Sequence, residues 1–161
     1  MNTKKFWLSN ISLLIAGFAL MMSPLPRAFA ADSTTPVGFW KTIDDTSHQP
    51  RSIVKIWEEN GQLSGKIVKI FYKEGESEKD LCTKCEGEDK DKPILGLTIL
   101  HNLQEKTPTL WDRGTILDPE TGKVYRAKLT LKNDGKTLDV RGFIGISLIG
   151  RTQTWERDTE K

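Results

Sequence analysis

The chain has 161 residues, with 24 Lys plus Arg against 22 Asp plus Glu and a formal charge of +2. That length suits one domain, and the near balance of charge argues against a nucleic-acid binder, which would carry a basic patch or stripe. A hydrophobic fraction of 37% with 29% charged residues excludes a disordered or fibrous chain, and two cysteines are too few for a disulfide scaffold.

Residues 1–30 read as an export signal. Lys4 and Lys5 form a basic start, Ile11–Met22 is apolar, Pro24 and Pro26 interrupt it, and Ala28-Phe29-Ala30 has the small-x-small form of a cleavage site. The apolar core of 12 residues is short of the roughly 20 needed to span a bilayer. Cleavage after Ala30 is therefore expected, with no stable membrane span afterwards and a periplasmic location. It leaves 131 residues, and the charge falls from +2 to −1 because Lys4, Lys5 and Arg27 leave. A domain of that size buries about two thirds of its unfolded surface and folds without metal support.

Residues 31–36 are a polar lead-in, 37–157 the folded domain and 158–161 a short tail. Within the domain the pattern has period two rather than 3.6. In Val124–Leu131, Tyr125, Ala127, Leu129 and Leu131 point one way and Val124, Arg126, Lys128 and Thr130 the other, as in a half-buried antiparallel strand. Residues 137–144 repeat this, with Leu138, Val140 and Ile144 on one face. Asn60-Gly61 and Asp134-Gly135 are hairpin signals, and Asp118-Pro119-Glu120-Thr121-Gly122 has turn chemistry. Strands are predicted near 37–43, 51–58, 63–72, 93–100, 110–117, 123–131, 136–144 and 151–157. Eight short strands favour an all-β antiparallel barrel or sandwich. Two segments break the rhythm. Residues 73–92 are a long polar loop holding both cysteines, and loops of that length are functional or mobile. Residues 142–150 are apolar on both faces with three glycines. They either close the barrel at a corner or expose an apolar patch to a partner.

Gly38-Phe39-Trp40 opens the first strand, and Arg151 and Arg157 lie on the last. Gly-x-Trp with a late Arg resembles the pattern of lipocalins and related calycin barrels, where the guanidinium packs on the indole and closes the barrel bottom. Arg157, Arg151 and Arg141 are the candidates for that role; otherwise Trp40 is plain core. Further stretches carry a more specific resemblance. Gly38-Phe39-Trp40-Lys41-Thr42-Ile43-Asp44-Asp45, residues 92–99, Ile116-Leu117-Asp118-Pro119, Gly122-Lys123-Val124-Tyr125 and residues 140–155 together are similar to the exported bacterial DUF2147 family, a domain of unknown function. The resemblance implies a small eight-stranded lipocalin-like barrel exported by a Gram-negative bacterium. It implies no activity.

Chemistry is sparsely signalled. Cys82-Thr83-Lys84-Cys85 lacks the following His of a haem site, since Glu86 stands there. A redox pair or a zinc site with His48 and His101 competes with a local disulfide formed in an oxidising compartment, and the disulfide is the expected state. No nucleophile elbow, phosphate loop or dinucleotide fingerprint is present, and Asp44-Asp45 and Glu58-Glu59 read as solvated turn residues. No enzyme and no cofactor are expected. The leading function is binding of a small, partly apolar ligand inside the barrel, since an eight-stranded barrel holds one small ligand or is filled by side chains. Trp40, Lys55, Trp57, Trp111, Arg141 and Arg151 are its candidate contacts, Lys55 as an inward cation for an anionic group or else a residue of the outer face. The alternative is an envelope structural or partner-binding protein with a filled barrel.

Overall fold

The computed structural model describes residues 34–158; the export-signal reading falls outside them. Eight strands follow in chain order: β1 (Gly38–Ile43), β2 (Pro50–Glu59), β3 (Gln62–Ile70), β4 (Thr98–Thr107), β5 (Leu110–Asp118), β6 (Lys123–Lys132), β7 (Thr137–Phe143) and β8 (Gly150–Asp158). Each pairs antiparallel with the next, and β1 pairs with β8, closing the barrel. Closure through Phe39–Lys41 and Glu156–Asp158 joins the two edge strands, so none of the described strands is a free edge along its whole length. The described helix content is one 3-10 turn at Gly87–Asp89, and among the described residues no helix is long and apolar enough to cross a membrane.

Alternation decides what fills the barrel. Across β6, β7 and β8 the registers align Leu131, Leu138 and Trp155, then Leu129, Val140 and Gln153, then Ala127, Gly142 and Arg151. Lower in the barrel the inward side chains are large: Trp40, Val54, Ile56, Leu63, Leu100, Leu103, Trp111, Leu129, Leu138 and Trp155 lie in one buried cluster. Higher up they are small or polar: Ala127, Gly142, and the buried pair Thr42 and Ser52, whose hydroxyls lie 2.8 Å apart. The lower barrel is therefore packed solid, and the inward face becomes polar towards the end that carries the loops 44–49, 71–97, 119–122 and 144–149.

Three expectations are corrected. The fourth strand is residues 98–107 rather than 93–100. Residues 93–97 belong to the long loop, where Leu81 bridges Pro93 and Gly96 N–H donates to the Ile67 carbonyl. The run 142–150 neither closes the barrel nor forms a bent strand. Gly142 and Phe143 end β7, Gly145 turns the chain at φ 67°, and Gly150 begins β8. Between them Ile144, Ile146, Leu148 and Ile149 are 60–84% exposed, so Ile144 does not join the inward face of Leu138 and Val140.

Candidate functional site

The lower end shows why Gly-x-Trp takes its form. Trp40 is fully buried, and its indole N–H donates to the Pro36 carbonyl at 2.7 Å. Arg157 lies over the ring, 4.3 Å from its centroid. Its guanidinium also donates to the carbonyls of Thr35 at 2.6 Å, Val37 at 3.1 Å and Gly135. One side chain thus ties the chain entering β1 to the β6–β7 turn and seals the lower end. Gly38 sits at φ 134°, and a Cβ there would stand 3.1 Å from the Arg157 Nη1 atom. Conformation and crowding both ask for glycine. Of the three arginines weighed for this contact, Arg157 makes it.

The upper end is polar. Arg151 lies on the inward face at the mouth, opposite Gly142, and forms an ion pair with Asp45 from the 44–49 loop. The Gln153 amide donates to the same carboxylate at 3.3 Å, while its carbonyl accepts from the Trp155 indole at 3.4 Å. A hydrogen-bond chain therefore climbs from the buried core, through Gln153, to an exposed guanidinium. Tyr125 and Ile116 stand beside it, facing each other across the β5–β6 ladder, and both pack against the bare backbone of Gly142, where a Cβ would already touch them.

A second polar array crosses this end. Arg51, at the top of β2, donates to both Glu76 oxygens at 2.7 and 3.0 Å and to Glu120 of the β5–β6 turn at 3.1 Å. β2 and β5 are not neighbours; Arg51, next to inward Ser52, faces outward, so the array ties the top of β2, the long loop and the β5–β6 turn together on the outer side of the barrel. Burial works to lower the Arg51 pKa, but the bonds to Glu76 and Glu120 outweigh it and hold the pKa above its ordinary value. The Lys73 backbone N–H holds the Glu76 carboxyl below its ordinary range, aided by Arg51 against burial. Lys73 Nζ, with the backbone and hydroxyl of Ser47, depresses the Asp44 carboxyl further still. Beyond the array, Cys82 and Cys85 are disulfide-bonded. Both are buried in the same core cluster as Leu97, Ile99 and Leu117. Ile99 and Leu100 are adjacent in β4 and both buried; since neighbours in a strand face opposite ways, the long loop covers the outer face here. The fit is close at Gly122, φ 72°, where a Cβ would collide with the Lys84 carbonyl.

The sequence-predicted contacts do not converge. Trp40 and Trp111 are packed core residues. Lys55 takes the outer-face alternative, not the inward one: it is exposed, opposite Phe39, with Nζ 5.8 Å from that ring. Alternation from inward Val54 and Ile56 places it, and half-buried Trp57, on the outer face. Arg141 also faces outward, where it binds the carbonyls of Ser147 and Leu148. Arg151 alone of the six stands at the mouth. Asp45 and Gln153 were missed as partners. The period-two series Arg151, Gln153, Trp155 carried the signal for Gln153, whereas only the folded loop brings Asp45 over β8.

Residues 38–157 match the DUF2147 family, described as an uncharacterized protein conserved in bacteria. The chain belongs to the DUF2147 family. This DUF2147 barrel is similar to protein HP1028 from Helicobacter pylori, described as belonging to the lipocalin family. The TM-score is 0.67 at 17% identity, covering 77% of this chain and 83% of that one. At that identity the likeness speaks to fold alone, and it agrees with the closed eight-stranded meander. A redesigned β-barrel also aligns, with a TM-score of 0.43 and 16% identity over 81% of this chain and 98% of that one. No curated protein matches the chain.

Proposed function

We propose that this DUF2147 protein is exported to the periplasm by cleavage after Ala30 and acts there as a non-catalytic binder. Its ligand is a small, partly apolar molecule with an anionic group, held at the barrel mouth rather than deep inside. The inward-facing Arg151, steered by Asp45 and Gln153 above a solid apolar floor, carries the reading. A guanidinium at the barrel mouth orients a carboxylate or phosphate, which would exchange with Asp45, while the ligand's apolar part would rest against Ile116 and Tyr125. The lipocalin-like fold is consistent with such a binder.

The test is native mass spectrometry on protein purified from its own cell envelope. A stoichiometric extra mass, lost on denaturation and lost in Arg151→Ala, is the expected result. A bare mass in the parent protein, or an adduct that Arg151→Ala keeps, refutes it. A bare mass favours the second reading, an envelope structural protein, which the packed lower barrel supports.

A further inference from the structure

The loop between β7 and β8 has a composition and construction that neither the barrel nor the mouth site explains. Ile144, Ile146, Leu148 and Ile149 are 66, 60, 84 and 68% exposed. Four aliphatic side chains in water within six residues are a patch rather than the scattered singles a soluble surface tolerates. The loop is nevertheless ordered. Ile144 N–H donates to the Ile149 carbonyl at 3.2 Å, and Ile149 N–H to the Ile146 carbonyl at 3.1 Å. Arg126 caps the Gly145 carbonyl at 3.0 Å, and Arg141 caps Ser147 at 2.7 Å and Leu148 at 3.3 Å. Much of the tip's backbone polarity is thus satisfied within the protein while its apolar side chains point out. That is what hydrocarbon demands of a backbone that enters it.

The charges behind the tip are equally one-sided. Lys128 stands directly opposite Arg141 across the β6–β7 ladder, and Arg126 lies on the same outer face as Lys128. Like charges paired across strands are destabilising, and among the described residues none of Arg126, Lys128 and Arg141 has a carboxylate within ion-pair distance. Of the acids at this end, Asp45 is engaged by Arg151 and Glu120 of the β5–β6 turn by Arg51. Asp139, lower on β7, is engaged by Lys132.

We infer that the β7–β8 tip is a peripheral membrane contact: Ile144, Ile146, Leu148 and Ile149 enter the acyl boundary of an anionic leaflet while Arg126, Lys128 and Arg141 face its phosphates. A convex, purely aliphatic tip backed by cations fits a lipid surface, where buried apolar area and attraction to anionic lipid add. Protein interfaces instead favour aromatic and Met side chains on complementary surfaces. The contact is superficial and spans nothing.

The test uses the chain from Ala31 onward, as it exists after the proposed cleavage, with one added thiol, which labels uniquely because Cys82 and Cys85 are bonded to each other. Ser147→Cys, exposed in the tip, carries an environment-sensitive dye; Asn133→Cys, exposed in the β6–β7 turn at the opposite end, is the reference. With phosphatidylglycerol vesicles the dye at 147 should shift to the blue and be quenched by brominated acyl chains, while that at 133 stays in water. Attachment through another segment cannot produce that contrast. Leu148→Glu, at a site too exposed to disturb the fold, should weaken the response about tenfold, and phosphatidylcholine vesicles should do likewise. A dye at 147 that stays in water, an equal response at both ends, or an unchanged response in Leu148→Glu overturns the inference. So does a shift produced only by an envelope protein.

Discussion

Arg157→Met tests the lower seal most directly. Methionine keeps an apolar stem over Trp40 and removes the guanidinium. Three carbonyls lose their donor, those of Thr35, Val37 and Gly135, and the indole loses its cation. Hydrogen bonds from a charged donor are worth about 1.5–3 kcal/mol each, and the cation–π contact about 0.5–2 kcal/mol. These terms share one side chain and do not add. The Thr35 and Val37 carbonyls are on half-buried residues and regain water, whereas Gly135 is buried. A net loss of about 3–4 kcal/mol follows, or a Tm lowered by roughly 11–15 °C for a domain of this size. Urea unfolding followed by tryptophan emission measures it, since Trp40 lies beneath the altered group. Arg157→Lys should recover at most half, because one ammonium cannot reach three carbonyls in a planar fork. A Met variant within about 0.5 kcal/mol of the parent, the scatter of ordinary surface changes, would refute the view that this side chain seals the barrel.

Three further outcomes follow. Replacing both Cys82 and Cys85 by Ser should leave the barrel folded, since so small a closed loop contributes at most about 2 kcal/mol; hydrogen exchange should rise in residues 81–97 and hold steady in β5–β8, and equal loosening of both would contradict it. Gly122→Ala should loosen the same loop without reduction, because its Cβ collides with the Lys84 carbonyl, and exchange at the Cys82 and Cys85 amides reads this directly. Glu76 has a folded pKa below its ordinary 4.5, so its contribution is fully present above the unfolded value and is lost as pH falls through the folded one; exchange in 73–80 should accelerate below about pH 4.5, Glu76→Gln should show the acid behaviour already at neutral pH, and an unchanged acid profile in that variant would exclude Glu76 as the cause.

The eight-stranded barrel was legible because alternation is local. Tyr125, Ala127, Leu129 and Leu131 announce an inward face whatever lies across from them, and Asn60-Gly61 and Asp134-Gly135 announce their turns. Gly38-Phe39-Trp40 with a late arginine pointed to the lower seal. Which arginine makes it was decided by register, which sets Trp40 opposite Arg157. The fourth strand was misplaced because residues 93–97 are as apolar as a strand but end the disulfide loop, where Leu97 alone is buried and Leu95 is exposed. Lys55 alternates with inward residues, and only the closed barrel shows which side of the sheet is inside. The run 142–150 looks like core by composition, yet its glycines and the two arginines beneath it turn its side chains to solvent. Composition and period thus determined the architecture. Long-range closure decided the site, because Asp45, Arg151 and Gln153 meet only when β8 returns beside β1 and the 44–49 loop folds over the mouth.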